Sequence, residues 1–180
     1  MKKQILYVLA LVALIAVACQ SPKENAIKEI DALEAQDSLF NLDNMAKLKD
    51  AYVAFADKYP DDERAPEFLF KAGQNIGAIA SGNKDVEMHK EAITIFNRIQ
   101  TTYPKHHYAE ESLFMTGFVY ENYLNDVAKA KEAFQELMVK YPDSELAEEA
   151  KLAIENVGVA PEDIIKRAQQ HGADSSVGVK

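Results

Sequence analysis

A Tyr-Pro dipeptide occurs three times in the chain, at Tyr59-Pro60, Tyr103-Pro104 and Tyr141-Pro142. The residue five positions after each proline is alanine, and the residues four and seven positions before each tyrosine are large and apolar. Proline cannot continue a helix, and it disfavours helical angles in the residue before it, so each dipeptide ends one helix abruptly. The chain therefore repeats a unit of helix, turn and helix, with the tyrosines 44 and then 38 residues apart.

Further positions match on both sides of this turn. Seven residues before the tyrosines stand Tyr52, Phe96 and Phe134. Two copies continue past the shared alanine with Leu-Phe and then a glycine, at Gly73 and Gly117. The third copy departs there, with Lys151, Leu152 and Glu155. Glycine inside a helix costs about 1 kcal/mol relative to alanine, so we expect a neighbouring helix to pack closely at both glycines.

The two helices of one unit differ in their apolar faces. Segment 109–124 is apolar around most of its circumference, whereas segment 128–141 has one apolar face and one charged face. The first kind of helix needs neighbours on several sides, and the second kind needs them on one side only. A single hairpin cannot bury this much apolar surface, but stacked hairpins can. The pattern predicts an all-α solenoid of stacked hairpins, each with an inner and an outer helix.

The order of these residues resembles the tetratricopeptide repeat (TPR), a family of helical-hairpin repeats. The positions that carry the resemblance are Leu113, Gly117, Tyr120, Ala130, Phe134 and Pro142. One extra residue between Tyr120 and Phe134, and a longer loop at 81–87, depart from the family pattern. The resemblance covers about residues 43–157 and implies an all-α, TPR-like helical-hairpin solenoid of about three and a half hairpins.

Less regular segments flank the three copies. From Glu24 onward, "ENAIKEIDALEAQDSLF" has apolar residues at helical spacing and opens the first hairpin. At the other end we expect a helix from about Ser144 to Asn156, a short helix in "PEDIIKRAQQHG", and a loose tail. We therefore place a TPR-like helical domain at 24–171 and a flexible tail at 172–180.

The first 18 residues have the composition of an export signal, with two lysines followed by an unbroken apolar run from Ile5 to Ala18. This run of 14 residues is shorter than a membrane-spanning helix requires. "IAVAC" then resembles the lipobox of bacterial lipoproteins, although Ala16 replaces the leucine that is common there. The resemblance implies a cleaved signal peptide at 1–18 and a lipidated Cys19 on a short tether at 19–23. A plain secretory signal that happens to end in cysteine is the alternative.

The charge of the mature chain limits its partners. Loss of Lys2 and Lys3 with the signal takes the formal net charge from -9 to -11, with 18 basic against 29 acidic residues. Such a surface repels nucleic acid and anionic lipid headgroups. We expect protein partners with basic patches, a membrane contact through the lipid on Cys19, no nucleic acid and no small-molecule substrate.

Catalytic and metal-binding patterns are fragmentary. His106 and His107 follow Pro104 without a cysteine or an acidic pair at ligand spacing. His89 is expected at the surface or rim of a half-exposed helix. Acidic pairs such as Glu110-Glu111 fall in the first turns of helices, where the helix dipole explains them. The sequence predicts no catalytic residue, no metal ligand and no cofactor.

In TPR proteins the inner helices line a concave groove that takes peptides or partner helices. The resemblance places these partner-binding candidates on the inner helices: Glu67, Phe70, Gln74, Glu111, Phe114, Phe118, Glu121 and Asn122. Alternatively, Phe70 and Phe114 pack one repeat on the next. An aromatic floor rimmed by acids would fit a basic or amphipathic peptide.

Two families share an exported chain with turns such as "YPDSELAEEA". The anchored form resembles the BamD-like lipoprotein of the outer-membrane β-barrel assembly machinery, which implies an outer-membrane lipoprotein that faces the periplasm and holds other envelope proteins. That family usually has more repeats than this chain offers. The turns also resemble the TPR domain of the periplasmic protein of the Tol-Pal system, which implies an adaptor in cell division. A third hypothesis is a metal-binding or enzymatic protein that uses His106 and His107.

Overall fold

The computed structural model describes residues 21–36, 41–160, 162–166 and 169. Its helices are α1 (Pro22–Glu34), α2 (Leu42–Lys58), α3 (Ala65–Asn83), α4 (Val86–Thr102), α5 (His107–Asn122), α6 (Val127–Lys140) and α7 (Glu145–Asn156). Residues 162–166 are also helical, and none of the described residues lies in a strand. The predicted all-α class is confirmed. The predicted signal peptide, Cys19 and the tail at 172–180 lie outside the described residues.

Each helix packs against the next one along the chain, and α3 also contacts α5 as α5 contacts α7. Helices α3, α5 and α7 therefore form an inner layer, and α2, α4 and α6 lie outside it. Three hairpins, α1-α2, α3-α4 and α5-α6, are followed by α7 in the place of a fourth inner helix. This is the predicted helical-hairpin solenoid of about three and a half hairpins.

The core runs along the stack as three apolar clusters, each shared between consecutive hairpins. In the first cluster Phe68 of α3 stacks on Tyr52 of α2 at 5.2 Å between ring centroids and meets the ring of Phe55 edge to face at 4.9 Å. Aromatic pairs of this geometry contribute beyond their buried area. The hairpins are thus held together by contacts between neighbours, as expected of a repeat protein. Within the described residues, no helix has the length and apolar character needed to cross a membrane.

The two repeated glycines lie where the inner helix touches the outer helix of its own hairpin. A methyl group added at Gly73 would lie 2.5 Å from Cε1 of Phe96, and one added at Gly117 would lie 2.6 Å from Cε1 of Phe134. Both phenylalanines are almost completely buried. The predicted close packing at the two glycines is confirmed.

The turn after each Tyr-Pro has a hydrogen bond to the side chain of the residue two positions past the proline. Asp62, His106 and Ser144 each accept a hydrogen bond from the backbone N–H two residues further on, at 3.1, 3.3 and 3.1 Å. At His106 and Ser144 the bond satisfies a backbone donor that the first turn of the helix leaves free, whereas at Asp62 the donor is Arg64, the residue just before α3. His106 and Ser144 therefore cap α5 and α7 in the same way, whereas α3 begins after Arg64 without a side-chain cap.

The repeated tyrosine links each hairpin to the one before it. The Tyr103 hydroxyl donates a hydrogen bond to the carbonyl oxygen of Pro60 at 2.8 Å, and the Tyr141 hydroxyl donates one to the carbonyl oxygen of Pro104 at 3.1 Å. The proline nitrogen cannot donate, but its carbonyl is free to accept because the helix has ended there. Tyr103 and Tyr141 thus each donate to the preceding turn, and the carbonyls of Pro60 and Pro104 are the acceptors.

We expect Tyr103→Phe and Tyr141→Phe each to lower the free energy of unfolding by about 1 kcal/mol, the usual net value of one hydrogen bond. Tyr59→Phe is the matched control, because within the described part of the chain its hydroxyl has no carbonyl of a preceding turn to reach. Urea unfolding followed by circular dichroism measures all three. Equal losses for the three variants would show that the hydroxyl bonds between hairpins contribute nothing specific.

Candidate partner-binding face

The exposed and half-buried side chains of α3 and α5 that face away from the outer helices form one surface, called here the inner face. It contains Glu67, Lys71 and Gln74 of α3, and Glu111, Phe114, Phe118, Glu121 and Asn122 of α5. On α5 these positions recur at intervals of three and four residues, which places them along one side of the helix. The inner face therefore includes seven of the eight candidates predicted from the sequence.

At the α3 end of the inner face the charges neutralise one another. The Lys71 ammonium lies 2.9 Å from a carboxylate oxygen of Glu67 and 2.9 Å from one of Glu34 on α1. The Tyr52 hydroxyl donates a hydrogen bond to the same oxygen of Glu34 at 2.6 Å. Burial acts to raise the pKa of Glu34, but the hydrogen bonds from Tyr52 and Lys71 lower it overall. Glu67 is thus already paired within the chain.

Phe70 and Phe114 pack the repeats together. The Phe70 ring is buried and stacks on Tyr108 of the next inner helix, with 4.9 Å between ring centroids. Phe114 is half-buried, with its ring centroid 5.4 Å from that of Phe134, in the cluster shared with α7. For Phe70 the packing alternative accounts for the residue, and only Phe114 keeps part of its surface on the inner face.

The α5 end of the inner face carries exposed aromatic rings. Phe118 is 37% exposed, and its ring meets Tyr123 edge to face at 6.0 Å. Tyr123, just past the end of α5, is 41% exposed and stacks on His89 of α4 at 4.1 Å with the planes 15° apart. Tyr123 was not among the residues predicted from the sequence. Its only sequence signal was an aromatic residue near the end of the predicted inner helix 109–124.

The prediction that His89 lies at the surface is wrong. His89 is 3% exposed because Tyr123 covers its ring, and its Nδ1 is buried without a hydrogen-bond partner. Burial lowers the pKa of His89, while the carboxylate of Asp85 acts in the opposite direction. The imidazole therefore sits behind Tyr123 in its neutral form near pH 7.

The carboxylates of Glu111 and Glu121 are poorly compensated, in contrast to Glu67. Burial raises the pKa of Glu121, which forms no ion pair with any residue that the structure describes. Burial also raises the pKa of Glu111, although His107 acts to lower it, with its Nε2 at 3.9 Å from a carboxylate oxygen. Burial disfavours the charged form of a carboxylate, and an approaching cation stabilises that form. This end of the inner face is the part that favours a positively charged ligand.

The two amide side chains differ in availability. Gln74 is exposed on α3. The side-chain nitrogen of Asn122 donates to the backbone oxygen of Phe118 at 3.0 Å, so part of its hydrogen-bonding capacity is used within α5. Gln74 therefore offers more hydrogen bonds to a ligand than Asn122 does.

The two adjacent histidines serve the start of α5. Nδ1 of His106 accepts the capping hydrogen bond from Tyr108, and its ring lies 4.4 Å from that of His107. Burial lowers the pKa of His106, and neighbouring His107 lowers it further. Sequence reasoning missed this capping role, which the alignment with Asp62 and Ser144 indicates. In the part of the chain that the structure describes, no three His, Cys, Asp or Glu side chains are placed to hold a metal ion.

The comparisons with known proteins identify one repeat. A family model for the tetratricopeptide repeat matches residues 111–144, which run from α5 through α6 to the cap of α7. A search of curated proteins found no match. The matched repeat contains Phe118, Glu121 and Tyr123. Together with the all-helical solenoid, it supports a tetratricopeptide-repeat protein, a type of fold that is typical of scaffolds for protein-protein interaction rather than of enzymes.

Proposed function

We propose that the chain is a lipid-anchored scaffold of the bacterial cell envelope, and that its inner face binds a protein partner through a basic or amphipathic segment. The observation that carries the proposal is the contrast along the inner face. Glu67 is neutralised by Lys71, whereas Glu111 and Glu121 are partly desolvated carboxylates beside the exposed ring of Phe118. An apolar centre with a polar rim is the usual composition of a binding surface.

Charge supports a basic partner. The mature chain would carry a formal net charge of -11, with 18 basic and 29 acidic residues, and such a field speeds the encounter with a positively charged protein. Pairing with a lysine or arginine would also lower the raised pKa values of Glu111 and Glu121 and offset the cost of their burial. Affinity would then depend on ionic strength.

The envelope context rests on the N-terminal sequence. An export signal followed by the only cysteine of the chain supports a lipid anchor on Cys19 and a position in the periplasm. Together with the stacked hairpins, this favours a role in outer-membrane β-barrel assembly, in the manner of the BamD-like family. The "YPDSELAEEA" turn favours the second candidate, a Tol-Pal type adaptor in cell division.

Affinity capture from crosslinked cells tests the proposal. The full-length protein is compared with Glu111→Gln/Glu121→Gln, which removes two charges and preserves shape. The matched control is Glu91→Gln/Glu132→Gln, at exposed positions on the outer helices α4 and α6. We expect the native protein and the control to recover barrel-assembly components, and the inner-face variant to recover about tenfold less.

Recovery of Tol-Pal components with the same dependence on Glu111 and Glu121 would instead establish the second candidate. Equal recovery by all three proteins would show that the partner binds elsewhere.

A further inference from the structure

We infer that Phe118, Tyr123 and Glu121 form a subsite for one lysine or arginine side chain of the partner. The inference rests on the proposed function and specifies which part of the inner face selects the ligand. Phe118 occupies the centre, because Tyr123 meets its ring at 6.0 Å and Glu121 follows it by three positions on the same helix. The two rings thus adjoin each other, and the Glu121 side chain lies about one helical turn from Phe118.

The chain contains an internal example of the proposed complex. The Lys71 ammonium lies 5.9 Å from the centroid of the Tyr52 ring and 2.9 Å from the carboxylates of both Glu34 and Glu67. A lysine, an aromatic ring and carboxylates therefore already assemble at the α3 end of the inner face. At the α5 end the ring and the carboxylate are present, but no lysine or arginine that the structure describes pairs with Glu121. The partner would supply it.

The surroundings of Tyr123 suit a cation on its open side. One face of the ring is covered by His89 at 4.1 Å, and the remainder of the side chain is 41% exposed. His89 is buried and held neutral, so it places no positive charge behind the ring. A cation within about 6 Å of an aromatic ring gains about 0.5–2 kcal/mol, the larger value when water is excluded. The nearby carboxylate of Glu121 adds to this attraction.

Fluorescence anisotropy with a defined probe tests the subsite. The probe is a short synthetic amphipathic helical peptide with lysines along its polar face, and its matched form has glutamine in place of every lysine. The full chain, kept in mild detergent, is compared with Glu121→Gln and with Phe118→Leu, which keeps an apolar side chain and removes the aromatic ring. We expect the lysine peptide to bind, each substitution to weaken binding about tenfold, and the glutamine peptide to bind at least tenfold more weakly.

Two further variants separate the inference from the proposed function. Glu91→Gln, on the exposed side of α4, should leave binding unchanged. If Glu111→Gln weakens binding while Glu121→Gln and Phe118→Leu do not, the inner face binds the peptide and the subsite is wrong. If the lysine peptide does not bind at all, or if no inner-face substitution affects it, both proposals fail. Self-association of the chain that Glu121→Gln abolishes would identify a second copy as the ligand and would also overturn the inference.

Discussion

Replacing Gly73 with alanine should lower the free energy of unfolding by about 2 kcal/mol, in the range found for overpacked cores. The same replacement at Gly77, one turn along α3, should raise it by up to about 1 kcal/mol, because alanine is the better helix former. At Gly73 the new methyl group would lie 2.5 Å from Cε1 of Phe96, whereas at Gly77 no atom outside α3 lies within 4 Å of it. The same glycine-to-alanine change should therefore lower the free energy of unfolding at one position of α3 and raise it at another.

The ring of Phe96 decides the outcome at Gly73. It is almost fully buried, and its centroid lies 5.7 Å from that of Phe70, so it cannot move without displacing other core residues. Urea unfolding of both alanine variants, with Gly117→Ala as a parallel to Gly73→Ala, gives the three free energies. Stabilisation of Gly73→Ala to the same extent as Gly77→Ala would show that the helices can separate at no cost.

The sequence alone could distinguish Gly73 from Gly77, because only Gly73 has a glycine at the matching position of another copy. Gly73 and Gly117 occupy the same position in two copies, and Gly77 has no counterpart. Repetition at a position that disfavours helix predicts a packing contact, and the structure confirms it. The fold could also be predicted from the sequence, because the prolines, the repeated alanines and the periodic apolar residues all determine structure within one hairpin.

Contacts between one hairpin and the next could not be predicted so directly. The Tyr103 hydroxyl meets a carbonyl 43 residues earlier in the chain, and no local pattern indicates that distance. His89 was misassigned because its helix is half polar and because Tyr123, which covers it, follows the end of α5. The neutralisation of Glu67 by Lys71 was also missed. Lys71 has a second partner, Glu34, which lies on α1, a helix without the repeated pattern.

The third copy differs from the other two within its inner helix, α7. Lys151 and Glu155 of α7 occupy the positions of Leu113 and Gly117, which in the preceding copy lie in the core and against the outer helix. Both are exposed. A terminal element of a repeat array requires a polar outer side to stay soluble. The sequence departure noted at this copy therefore has a physical reason.

Substituting Asp62 with asparagine should lower the free energy of unfolding by about 2 kcal/mol near pH 7, in keeping with hydrogen bonds to a charged group. The Asp62 carboxylate accepts hydrogen bonds from Nε of Arg64 at 2.8 Å and from the Arg64 backbone nitrogen at 3.1 Å, and it lies 3.0 Å from the ammonium of Lys23. Its side chain is only 6% exposed. Asparagine has the same shape but turns one acceptor into a donor facing the guanidinium. The change should therefore loosen both the start of α3 and its tie to α1.

The effect of Asp62→Asn should depend on pH in a defined direction. The hydrogen bonds from Arg64 hold the pKa of Asp62 well below its usual range in the folded chain. The unfolded chain has an ordinary aspartate, so the stabilisation is fully present above about pH 4 and is lost as the pH falls towards the folded pKa. Urea unfolding of native protein and variant from neutral to acidic pH should give curves that differ by the full amount near pH 7 and converge in acid. Asp61→Asn, at the exposed neighbouring position, is the control, and a difference for Asp62→Asn that does not change with pH would show that the carboxylate charge is not what stabilises the turn.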